Sequence, residues 1–164
     1  MAQANAAQAQ AHAATDTLIT LRQQIYSQGV LAHNVIDVAI KSALRNVEFW
    51  QQQVAGEFAL AVTSKRLPTP VILTPLNDSQ VLDSAGRLSR EIANTLSSAF
   101  DELNAVRQKI EGMSRLNERG LSYVDCPKEI RELSALLGHA KQTLQRCQTD
   151  LYAIPKDDPS TLRL

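Results

Sequence analysis

The most regular pattern in the chain is a run of positions at alternating spacings of three and four: Leu82, Ala85, Ser89, Ile92, Leu96, Ala99, Leu103, Val106, Ile110 and Met113. All but Ser89 are apolar. This alternation gathers the ten side chains on one helical face, and its length predicts a coiled-coil or bundle seam. Asn77, Asp78 or Ser79 is a suitable cap for the start of that helix, and Gly120 suits the left-handed position past its end near Glu118. A second seam follows, with Ile130, Leu133, Leu137, Ala140, Leu144, Cys147, Leu151 and Ile154 at the same spacings. Pro127 fits the first turn of its helix, Asp125 or Cys126 its cap, and Pro155 its stop.

Upstream, Asp16 to Lys65 contains no proline and reads as one helix or as two meeting at Gly29. Thr15 or Asp16 is the candidate cap, followed by Leu18, Leu21 and Ile25 at helical spacing. Beyond Gly29 the stripe continues as Ile36, Ile40, Leu44, Val47, Val54 and Phe58. Val30, Leu31, Val35 and Val38 widen this apolar face beyond what one neighbouring helix covers, so it asks for two neighbours or a partner. Trp50 belongs with Val47, Val54 and Phe58 as a core residue. Phe49 falls among Arg45, Asn46, Gln52 and Gln53, and a large apolar group on a polar face marks a candidate partner contact.

Between the first and second long helices, residues 66–77 are proline-rich. Pro68, Pro70 and Pro75 disfavour helix and predict an extended connection. Its Val71, Ile72 and Leu73 are too apolar for an idle linker and are further candidates for burial by the bundle or by another chain. The expected fold is all-α: an elongated antiparallel bundle of three long helices in up-down-up order, or four with a break near Gly29, with coiled-coil-like packing. Residues 1–15 form an Ala- and Gln-rich low-complexity stretch, disordered or extending the first helix; 16–154 form one helical domain, and 155–164 a loose polar tail.

Composition agrees with this reading, since hydrophobic residues make up 44% of the chain but aromatics only 4%. Lys+Arg and Asp+Glu both number 17, and the balance holds segment by segment, so no basic footprint for phosphates exists and nucleic-acid binding is not expected. No apolar run reaches the roughly 18 residues of a membrane span. Without a basic n-region or apolar h-region at the N-terminus, the chain is expected to be cytoplasmic as synthesised, with export independent of a signal peptide left open.

Candidate chemistry is sparse. None of His12, His33 and His139 sits in a Glu-x-x-His or His-x-x-x-His pair, and Cys126 and Cys147 form no CxxC pair, so no metal or cofactor is expected. The Gly-x-Ser-x-Gly elbow and the phosphate-binding glycine motifs are absent from the sequence, which leaves nucleophilic and nucleotide chemistry without a foothold.

The sequence therefore points to a non-enzymatic structural or interaction protein that self-associates or docks partner helices in an assembly, secretion or scaffold system. The candidate partner-binding residues are Phe49, Val30, Leu31, Val35, Val71, Ile72 and Leu73, and a homo-oligomer is expected. In its Ala and Gln content, few aromatics, long amphipathic helices and length, the chain is also similar to granule-coating phasins, although no motif of theirs matches residue by residue. That likeness implies an alternative role as a coat on a lipid or polymer granule. A secretion chaperone or secreted helical effector is a third.

Overall fold

A computed structural model describes residues 2–60, 79–118 and 127–154, with backbone alone at 2–9, 56–60, 114 and 116–118. The described residues form four helices: α1 (Ala2–Leu60), α2 (Ser79–Leu88), α3 (Arg90–Glu118) and α4 (Pro127–Ala153). The segments holding Val71, Ile72 and Leu73, Gly120, Cys126 and the C-terminal tail lie outside the described residues.

The all-α bundle expected from the pattern is present, with α4 seated between α1 and α3. The seam of α4 is buried at every position from Ile130 to Leu151, because its three-four alternation keeps one face toward both neighbours. On α3, Ile92, Leu96, Ala99, Leu103, Val106, Ile110 and Met113 are likewise buried, joined by Phe100.

The predicted seam slips at its N-terminal end. There Val81 and Leu88 are buried, while Leu82 and Ser89 are only half-covered. Stepping back from Ile92 at 3.6 residues per turn reaches Leu88, Ala85 and Val81, and a strict heptad drifts off that line. Burying Leu88 also avoids burying the hydroxyl of Ser89. The helix falters at this residue: Glu91 donates its N–H to Ser89 Oγ at 3.2 Å, an N-cap contact inside an otherwise continuous path held by Ser89 N to Ala85 O and Ala93 N to Ser89 O.

Of the two alternatives open at Gly29, the structure takes the continuous helix. Helix α1 runs unbroken through it, about 88 Å from end to end. A single interior glycine costs only about 1 kcal/mol, and Gly29 is buried in the packed part of the helix. Thr15 and Asp16 accordingly are not caps; Thr15 Oγ1 donates back to Ala11 O at 2.9 Å, as interior threonines do. The core stripe of α1 consists of Ala32, Ile36, Ile40, Ala43, Val47 and Trp50, with Leu44 displaced to its edge by the same 3.6-residue geometry.

Chain direction departs from the expected up-down-up order. Asp37 of α1 meets Tyr152 of α4, and Glu48 meets Lys141, eleven residues on in one helix and eleven back in the other. Helix α3 pairs with α4 through Lys109 with Glu132 and Glu102 with Thr143, which is also antiparallel. Helices α1 and α3 therefore point the same way, and the end of α1 and the start of α2 lie at opposite ends of the bundle. The same pairings set the start of α2 at about the level of Gln23 to Ile25, given a rise of ~1.5 Å per residue, and α1 packs against α2 and α4.

Candidate functional site

Helix α1 carries three features that the bundle's core does not absorb. The first is its free end. Leu18 and Ile25 share the helical face of Gly29, Ala32, Ile36, Ile40, Ala43, Val47 and Trp50, with Leu21 beside them, so the core stripe simply continues past the bundle. Burial stops where α2 starts. Residues 10–24 are all exposed, including Leu18 (58%), Ile19 and Leu21, and Ile25 is only partly covered. Sequence spacing alone assigned Leu18, Leu21 and Ile25 to the helix correctly, but gave no sign that they stand beyond the last neighbour.

The second feature is the outer face of the packed half. Leu31 (64%), Val38 (67%) and Phe49 (38%) are exposed there. They recur at seven- and eleven-residue spacing, which keeps them on one side, well away from the core stripe. Phe49 makes a T-shaped contact with Trp50, centroids 6.3 Å apart, while Trp50 itself is buried. Of the residues singled out for partner binding, Leu31 and Phe49 thus stand in solvent. Val30 and Val35 are half-covered, Val35 against the core, and so are less available.

The third is a polar clamp between α1 and α4. His33, Asp37 and Lys41 lie one turn apart on α1 and meet Tyr152 at the end of α4. Tyr152 donates its hydroxyl to Asp37 Oδ1 at 2.6 Å, and Lys41 donates to Asp37 Oδ2 at 2.7 Å. The His33 ring stacks on that of Tyr152, its Nε2 lies 3.2 Å from Leu151 O, and Lys41 Nζ stands 5.9 Å from the Tyr152 ring centroid. Partial burial pushes the Asp37 carboxyl up, but the hydrogen bonds from Lys41 and Tyr152 outweigh it and hold Asp37 below its ordinary value. With each carboxylate oxygen already taking a donor, the cluster serves to fasten the C-terminal turn of α4 to α1. The four-residue spacing of His33, Asp37 and Lys41 was visible in the sequence. Its meaning was not, because Tyr152 arrives from 115 residues away.

Other reactive groups are set in the core. Cys147 is fully buried, and desolvation, with a smaller contribution from Asp150, pushes its thiol up to about 11. Among the described residues no three His, Cys, Asp or Glu side chains gather where they could hold a metal ion, and no helix is long and apolar enough to cross a membrane. The chain matches no protein-family model, and neither a curated protein nor a solved structure shows a relationship to it.

Proposed function

We propose that this chain is a non-enzymatic structural or interaction protein in which α1 is the docking element: the bundle holds its second half rigid and presents the rest to partner helices. One observation carries the reading. The apolar stripe of α1 keeps its phase from Trp50 back to Leu18, yet none of the other described helices reaches Leu18 and Leu21. Leaving large apolar groups in water forfeits about 25 cal/mol per Å² that burial would return, and an amphipathic helix with an open face is the standard substrate for helix-in-groove or helix-on-helix binding. The second exposed row, Leu31, Val38 and Phe49, gives the same helix another contact side.

Light scattering behind size exclusion, together with capture of host proteins on the immobilised full chain, tests this. A defined assembly that is lost in Leu18→Asp or Leu31→Asp, with helicity unchanged, supports it. A monomer that captures nothing, in wild type and variants alike, overturns it.

A second reading, the granule coat, draws on one fact: from position 2 to 36 only Asp16 and Arg22 are Asp, Glu, Lys or Arg, so the free end is an apolar and nearly uncharged surface. Interfacial helices usually add a basic flank that anchors them to anionic lipid. That flank is missing, which ranks this reading second. Flotation of the full chain with neutral lipid droplets would move it to first place.

A further inference from the structure

We infer that α2 is a hinged cover on α1: it swings off as a unit about Ser89 while α1, α3 and α4 stay packed. The hinge is visible in the backbone. Helix α2 ends at Leu88 and α3 begins at Arg90, with Ser89 in neither. Glu91 N–H, whose helical acceptor would be Arg87 O, donates to Ser89 Oγ at 3.2 Å, and the chain is carried across by Ser89 N to Ala85 O and Ala93 N to Ser89 O. A side chain inserted into the helical ladder is an identifiable cause of bending. Here it falls where the chain changes neighbour, since beyond its own continuation α2 packs against α1, whereas α3 packs against α4.

The cover is lightly held. Helix α4 reaches down α1 only to His33, whose Nε2 lies 3.2 Å from Leu151 O, so the level that α2 occupies is two helices thick where the rest of the bundle has three. There α2 buries Val81, Ala85 and Leu88, against seven seam residues buried by α4. Gly86 is exposed in the middle of α2 and weakens it as a helix about fivefold relative to alanine, the equivalent of ~1 kcal/mol. Segments with few buried apolar contacts and interrupted backbone bonding open at lower free energy than the whole domain. With α2 off, the buried Gly29 and Ala32, in phase with Leu18 and Ile25, join the exposed stripe and lengthen it by about two turns. Only this last consequence, control of how much of α1 is open for docking, rests on the reading of α1 as a docking element.

Native-state amide exchange of the full chain tests the hinge. The amides from Asp83 to Leu88 should exchange through one common opening, with protection about tenfold or more below that of the α4 seam. In Gly86→Ala, where the added Cβ meets no atom within 4 Å, that protection should rise about fivefold with α4 unchanged. A second readout is chemical. In a Cys126→Ser background, Ala32→Cys should react with a thiol reagent faster than Ala140→Cys, and its rate should fall by the same factor once Gly86→Ala is added. Equal protection in α2 and α4 overturns the inference. So does protection that decays residue by residue from Leu88 toward Ser79, which is a fraying end, or labelling of Ala32→Cys that ignores Gly86→Ala. These measurements need no partner, so a chain that docks nothing still shows the hinge, and a rigid α2 leaves docking at Leu18 and Leu21 untouched.

Discussion

Leucine-to-alanine changes at Leu96 and Leu18 separate what the bundle buries from what it leaves open. Both remove the same three carbons, one methine and two methyls, from a helix. Leu96 is fully buried in the α3 seam (0% exposed), between layers built on Ile92 and Ala99. Its truncation loses the transfer free energy of those carbons and opens a cavity that rigid helices close poorly, for a total of about 2–5 kcal/mol. For a domain of this length that lowers Tm by roughly 5–20 °C, at ~2–4 °C per kcal/mol. Leu18 already has most of its side chain in water, so its truncation in an isolated chain costs less than about 1 kcal/mol, offset in part by the better helix propensity of alanine. Thermal unfolding followed by circular dichroism and by the fluorescence of Trp50, the single tryptophan, measures both. The assay should be run at low and high protein concentration, because coverage of Leu18 by a second copy makes its penalty grow with concentration while that of Leu96 stays constant. A loss below about 1 kcal/mol for Leu96→Ala would refute the buried seam. A large, concentration-independent loss for Leu18→Ala would refute the open end.

Three further outcomes are expected. Phe49→Ala should change stability by less than about 1 kcal/mol, since the ring is partly in solvent and meets Trp50 in a single T-shaped contact; collapse of the fold in this variant would show a buried ring. Tyr152→Phe removes one donor to Asp37 and should cost about 0.5–1.5 kcal/mol at neutral pH. Because Asp37 is held below its ordinary value of 3.8, that stabilisation is complete above this value and is lost as pH falls below it, so the cost should shrink in acid; a penalty independent of pH in denaturant titrations refutes the clamp. For Cys147 the sign is reversed. Folding favours the neutral thiol, so stability holds below about 9, the value of a free thiol, and declines as pH rises toward about 11, by roughly 2–3 kcal/mol in full. The decline should be smaller in Cys147→Ala, and an identical alkaline profile in both proteins would exclude burial of the thiol.

Helical structure, and the apolar face of each helix, were legible in the order of residues alone. Periodicity is a local property, set by 3.6 residues per turn, so the α4 seam from Ile130 to Leu151 and the α3 seam from Ile92 to Met113 were legible residue by residue. The sequence also marked Phe49, a large apolar group among polar neighbours, and Leu31, part of an apolar face too wide for one neighbouring helix, as candidates for contact. What periodicity does not encode is which helix lies opposite, and how far it extends. Only the packed chain showed that α1 and α3 run in the same direction, that Val81 and Leu88 replace Leu82 and Ser89 in the core, and that Asp37 finds Tyr152 on α4. The same limit applies to the free end of α1. Leu18 and Ile36 occupy one stripe and are indistinguishable by pattern, yet Ile36 is fully buried and Leu18 is not, because burial depends on where α2 and α4 stop along the axis. That single tertiary fact divides one continuous apolar stripe into a buried part and an exposed one.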